Sequence, residues 1–125
     1  VENYFLERTH KTPQLTANTA GEITIEGICI PENVQADFSP FMNWINEYLK
    51  SPAERTTLSV QLDYFNTSTA AILLNLFRTM SKIKAMGKAV VINWYFEDDD
   101  LEIKESGHDF ASIVDVEFNV QPFTK

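Results

Sequence analysis

The chain has 125 residues, 44% hydrophobic and 22% charged, the proportions of a globular protein long enough to bury a core. Ten basic against eighteen acidic side chains give 10 − 18 = −8, a balance that argues against a phosphate-tracking nucleic-acid binder. Cys29 is the single cysteine, which excludes an internal disulfide and any multi-thiolate metal site. The longest aliphatic stretches, Ala70 to Leu74 and Ala89 to Ile92, fall far short of the roughly 20 apolar residues of a membrane helix. The opening Val1-Glu2-Asn3 has no basic region followed by an apolar one, so no signal peptide is expected. One cytoplasmic domain over residues 1–125 is the resulting expectation.

In chain order, Tyr4 to Arg8 and Gln14 to Asn18 read as short strands, and Thr19-Ala20-Gly21 as a turn. Glu22 to Glu26 alternates polar and apolar, a half-buried strand. Gly27 and Pro31 bracket its end, so Ile28 to Asn33 is expected to leave the sheet as a loop. Ser39-Pro40 predicts a helix start, with Phe41, Trp44, Ile45, Tyr48 and Leu49 at helical spacing, and Ala53 to Thr57 predicts a polar connector. In the strand that follows, alternation puts Leu58, Val60, Leu62 and Tyr64 on one face. After Asn66-Thr67-Ser68-Thr69, a helix from Ala70 to Met86 buries Ile72, Leu73, Leu76, Phe77, Met80 and Ile83 and ends at Gly87. Val90 to Phe96 reads as a strand buried on both faces. Asp98 to Ser106 suggests a short helix closed by Gly107, which Phe110 to Ile113 either extend or follow as a turn, before a last strand through Val116, Phe118 and Val120.

This order predicts an α/β fold: a mixed β-sheet with about three helices, and a right-handed parallel crossover from Leu58–Phe65 to Val90–Phe96. It resembles the architecture of anti-sigma-factor-antagonist (STAS) domains.

Catalytic material is thin. Cys29 could pair with His10 or His108, both on expected loops, but nothing in the sequence brings nucleophile, base and orienting group together. The acidic run Glu97-Asp98-Asp99-Asp100 with Glu102 and Glu105 fails the calcium-loop pattern: counted from Asp98, the required Gly is Ile103 and the required Glu is Asp109. It reads as an acidic helix N-terminus, with no metal and no cofactor implied. Phe41, Trp44, Tyr48, Trp94, Tyr95 and Phe96 have the spacing of core residues, and Gly27 to Asn33 lacks the Lys-Ser or Lys-Thr of a phosphate loop. Asn66-Thr67-Ser68 matches a glycosylation sequon, accidental without secretion.

Asn66-Thr67-Ser68-Thr69 is more informative: four small polar residues lie between a strand and a helix, where one cap needs one. A hydroxyl at a helix N-terminus sits where free N–H groups and the dipole favour an added phosphate. A plain cap and a phosphorylatable switch both fit.

Gly27-Ile28-Cys29-Ile30-Pro31-Glu32-Asn33, Tyr64-Phe65-Asn66-Thr67-Ser68-Thr69 and Trp94-Tyr95-Phe96-Glu97-Asp98-Asp99 occur in the order and spacing of the SiaC family of regulatory phosphoproteins, which the chain resembles over nearly its whole length. The resemblance implies a STAS-like fold and a non-catalytic partner-switching role. A dedicated kinase would phosphorylate Thr67, a PP2C-type phosphatase would reverse it, and the unphosphorylated form would bind a partner such as a diguanylate cyclase. It points to Asn66, Ser68, Thr69, Pro31, Glu32 and Asn33 as partner-binding residues, alongside Asn75, Arg78 and Thr79, which lie off the buried stripe of the following helix. Departures from the family pattern are Cys29, Ile30 and Thr69. From a different class, a small-molecule or nucleotide-binding domain would place its pocket near Cys29–Asn33 and the end of the 58–65 strand, because ligand sites favour the C-terminal ends of parallel strands.

Overall fold

The alternation read in the sequence makes six strands that hydrogen-bond side by side in chain order. The computed structural model describes residues 2–124; Val1 and Lys125, the two ends of the expected domain, lie outside the described residues. Strands β1 (Tyr4–Leu6), β2 (Gln14–Ala17) and β3 (Glu22–Cys29) pair antiparallel. From β3 onwards the sheet is parallel, through β4 (Arg55–Phe65), β5 (Ala89–Glu97) and β6 (Glu117–Phe123). Helices α1 (Val34–Tyr48), α2 (Thr67–Ala85) and α3 (Leu101–Ile113) form the crossovers. This is the mixed α/β architecture with three helices that the sequence predicts.

All three helices cover one face. The register aligns Leu15, Ile25, Val60, Trp94 and Val120 in one row and Ala17, Ile23, Leu58, Ile92 and Phe118 in the next, all belonging to or packed against a single core cluster. Tyr48 of α1 bonds the hydroxyl of Thr56 on β4 at 2.8 Å, and Trp94 Nε1 donates to the Ile103 carbonyl of α3 at 2.9 Å. Steps in one direction across the sheet with every helix on the same face mean that the crossovers share one hand, as the right-handed rule requires. The other face carries Thr16, Thr24, Ser59, Asn93 and Asn119 in a polar row, each half-buried, and no helix among the described residues covers it. β5 is therefore buried on both faces at Val91 and Ile92 but not along its whole apolar run: Asn93, Tyr95 and Glu97 are half-buried on the open side.

Three helix boundaries differ from the sequence reading. α1 starts at Val34 rather than Ser39, because the Asn33 side chain accepts the Ala36 N–H at 3.1 Å and Val34 and Phe38 extend the apolar stripe backward. Pro40 lies inside this helix and deprives the Ala36 carbonyl of its N–H donor, on an exposed side where water can serve. α2 starts at Thr67, and α3 runs through Gly107 to Ile113 with Asp100 as its cap. Gly107 closes nothing. A Cβ there would stand 2.4 Å from Trp94 Cδ1, so the glycine lets α3 approach the indole.

The last turn of β4 breaks the alternation. Gly27 pairs with Leu62, but Ile28 then faces Tyr64, so Asp63 is the extra residue of a β-bulge, opposite a glycine at φ +123. Beyond the bulge the faces exchange. Phe65 turns inward against Trp94, with ring centroids 5.9 Å apart, and Tyr64, expected in the core, is 56% exposed.

Candidate functional site

Parallel strands β3 and β4 end side by side, with Cys29 opposite Phe65, and the chain leaves both at one edge of the sheet. Asn66 N–H donates to the Cys29 carbonyl at 3.2 Å, which fixes the turn into α2. The Asn66 side chain then caps the helix: Oδ1 accepts from Thr69 N at 3.0 Å, Thr69 Oγ1 at 2.8 Å and Ser68 Oγ at 3.0 Å. Asn is an effective cap because its short side chain reaches the third helical N–H from an extended backbone.

The three hydroxyls that follow have different fates. Thr69 is fully buried, its Oγ1 3.3 Å from Cys29 Sγ and 3.2 Å from the Cys29 carbonyl. Burial pushes the Cys29 thiol above its ordinary value; the Thr69 hydrogen bond opposes this and the charge of Asp37 adds to it. Ser68 is exposed but its hydroxyl is committed to Asn66. Thr67 is exposed on the first helical turn, and among the described residues nothing bonds its hydroxyl. The N–H groups of Thr67 and Ser68 open the helix and have no carbonyl within it to bond.

Beside Thr67 lies a depression of about 210 Å³. Tyr64 and Phe65 from the end of β4 form one wall, and Thr67 and Ala70 of α2 a second. The third wall is the head of α3, with Glu102, Ile103 and Ser106. Among the described residues its only charged lining residue is Glu102.

The residues expected to bind a partner divide. Ser68, Glu32 and Asn33 are exposed; Glu32 is ion-paired with Lys11 at 3.2 Å, and Asn33 caps α1. Asn66 is half-buried with its oxygen engaged. Thr69 and Pro31 are buried, so their side chains support the turn and do not present themselves to a partner. Further along α2, Asn75 and Arg78 are exposed, but Thr79 is buried and bonds the Asn75 carbonyl at 2.9 Å. The depression lies at the end of the 58–65 strand, where the ligand-pocket alternative expects it, but on the α3 side of Asn66 and not beside Cys29–Asn33. Sequence reading missed Tyr64, Ala70, Glu102, Ile103 and Ser106. Only the crossover order carried a signal for them, since adjacent β4 and β5 bring the heads of α2 and α3 together.

The remaining candidates are dispersed. His10 and His108 are exposed, the latter on α3 rather than a loop, and Cys29 is sealed in the core. Asp100 caps α3 through Ile103 N at 3.1 Å, and Asp98 accepts from the Thr124 hydroxyl at 3.1 Å. Among the described residues no group of three or more His, Cys, Asp or Glu could hold a metal ion, and no helix is long and apolar enough to cross a membrane.

The family model described as SiaC family regulatory phosphoprotein matches residues 6–123. The chain belongs to the SiaC family. An uncharacterized protein of Pseudomonas aeruginosa (strain UCBPP-PA14) is 22% identical over 114 residues, 90% of each chain. A chain in the crystal structure of diguanylate cyclase SiaD in complex with its activator SiaC, from Pseudomonas aeruginosa, superposes with a TM-score of 0.90 at 21% identity, covering 96% of this chain and 99% of that one. Apo-SiaC from the same organism gives 0.88, also at 21% identity, covering 97% and 99%. The SiaC fold is thus retained across a chain in which about four residues in five differ.

Proposed function

We propose that this SiaC-family chain is a non-catalytic cytoplasmic signalling protein whose binding to a partner such as a diguanylate cyclase is switched off by phosphorylation of Thr67. A dedicated kinase adds the phosphate and a PP2C-type phosphatase removes it. The observation that carries this reading is the sorting of three consecutive hydroxyls. Thr69 is buried, Ser68 is engaged by the cap, and Thr67 alone is both exposed and unbonded among the described residues. The family description as regulatory phosphoproteins, and the complex of SiaC with a cyclase, support the same reading.

The energetics favour a binding switch over a folding switch. A phosphate adds about −1.5 to −2 charge, and at a helix N-terminus this is worth roughly 0.3–1 kcal/mol in favour of the fold. Glu102 across the depression offsets part of that gain. If a partner covers the same spot with an apolar or acidic surface, an unpaired phosphate costs several kcal/mol, and about 1.4 kcal/mol is already tenfold in affinity. The domain stays folded while its partner is released.

Non-catalysis is supported by the sealed thiol and the two separate surface imidazoles. The small-molecule reading is less favoured: about 210 Å³ is below the roughly 300 Å³ at which ligand pockets begin.

Calorimetry with a diguanylate cyclase from the source organism tests the proposal. Affinity should fall in the order wild type, Thr67→Glu, phosphorylated protein, since Glu carries one charge and fewer acceptor oxygens. Thr67→Ala should bind like wild type with or without kinase, and should change stability by no more than about 0.5 kcal/mol because Asn66 is the cap. If kinase still abolishes binding by Thr67→Ala, or the phosphorylated protein binds most tightly, the off-switch at Thr67 is wrong.

A further inference from the structure

The depression beside Thr67 is open, its walls are mostly carbon, and one carboxylate, Glu102, lines it. Tyr64, 56% exposed, stands at its edge because the bulge at Asp63 turned it out of the core. Leu101, on the same first turn of α3 as Glu102, is 63% exposed. Among the described residues no cation lines the cavity to balance Glu102. One large side chain, Tyr64, thus stands in water at the edge of a cavity too small for a typical small-molecule ligand, facing apolar walls and the carboxylate of Glu102. A surface of this kind fits one protruding side chain of another protein with a positive charge beside it.

We propose that this depression is the anchor seat for the partner: it receives one leucine-sized apolar side chain of a protein segment whose neighbouring Lys or Arg pairs with Glu102. The inference rests on the phospho-switched binding proposed above and gives it a mechanism. Thr67 is a wall of the seat, so a phosphate on its hydroxyl occupies the space that the anchor needs. The switch is then occlusion first and charge second. The partner's cation meets the α3 side, where it gains little from the phosphate at a solvent-exposed rim. Because exclusion of volume is not screened, release by phosphorylation persists at high salt, whereas a purely electrostatic switch fades as the screening length shortens.

Two variants and one probe test this. Ala70→Leu fills the seat from the α2 wall, and Glu102→Lys reverses the rim charge at an exposed position that leaves the fold intact. Against the diguanylate cyclase used above, each should weaken binding about tenfold or more, the size expected for losing a central contact. Independently, nuclear magnetic resonance titration with a short peptide of alternating leucine and lysine should give saturable shifts at Tyr64, Ala70 and Ser106. A leucine–glutamate peptide should give none, and phosphorylated protein should not respond to either. If the cyclase binds and is released by phosphorylation while both variants bind like wild type, the anchor seat is wrong and the proposed function stands. If no cyclase binds but the leucine–lysine peptide seats as described, the cyclase proposal fails and the seat stands. If the peptide produces no saturable shift around the depression, the anchor seat is overturned.

Discussion

The two faces of the sheet are built on different principles. The helix side is a closed aromatic and aliphatic core in which Trp94 is fully buried and packs against Phe65, Phe77, Phe110 and Phe118. The open side is a polar row held by short side-chain bonds, with Asn119 and Gln121 both donating to Asn93 Oδ1 at 3.2 and 3.1 Å. Parallel strands are usually covered on both faces. Here one face is given to water, and the cohesion of the domain rests on the other. The proposed switch belongs to neither. It lies on the rim where β4 ends, where a bulge and a cap replace the regular alternation.

The largest expected effect breaks the closed side. Trp94→Ala removes the ring on which Phe65, Phe110 and Gly107 converge, and should cost about 3–5 kcal/mol in urea denaturation. A loss below about 1 kcal/mol would mean that the core on this side is not the main source of stability.

The second prediction probes the rim from beneath. Thr69→Val keeps the shape but removes the hydroxyl between Cys29 and Asn66, and should cost about 1–3 kcal/mol. Its contrast with the near-neutral Thr67→Ala, two residues away, separates the supporting hydroxyl from the exposed one.

A smaller effect is pH-dependent. The folded Cys29 thiol is held above its unfolded value, mainly by burial, so the folded state keeps a proton that the unfolded state releases first. The associated stability is fully present below the unfolded thiol pKa of about 8.5 and declines as pH rises toward the folded value. Tyr4 is also raised by burial, but from a higher ordinary value, so the first decline belongs to Cys29. Denaturation midpoints measured between neutral pH and about pH 9.5 should fall for wild type and fall less for Cys29→Ala. Equal slopes would place the alkaline sensitivity elsewhere.

The smallest effect is on the open face, where Ser59→Ala in the middle of the polar row should alter stability by no more than about 0.5 kcal/mol. A large loss there would indicate that the face is covered in solution.

The sequence by itself determined the periodic parts: the strands that alternate, the helix whose stripe runs from Ile72 to Ile83, and the polar turn between them. These are local, because side-chain direction repeats every two residues in a strand and about every 3.6 in a helix. The Asn66–Thr69 hydroxyls were legible for the same reason, as an excess of capping residues over what one helix needs. Tertiary structure decided the exceptions. The start of α1 at Val34, capped by Asn33, overrode the local signal of Ser39-Pro40 because Val34 and Phe38 had a core to enter. The bulge at Asp63 exchanged Tyr64 and Phe65 because Trp94, distant in sequence, offered a ring to pack against. Which of three adjacent hydroxyls faces water, and which face of β5 is only half-buried, depended on Cys29, on α3 and on the common hand of the crossovers. No window of neighbouring residues contains those partners, because burial is a property of what the chain brings together from a distance.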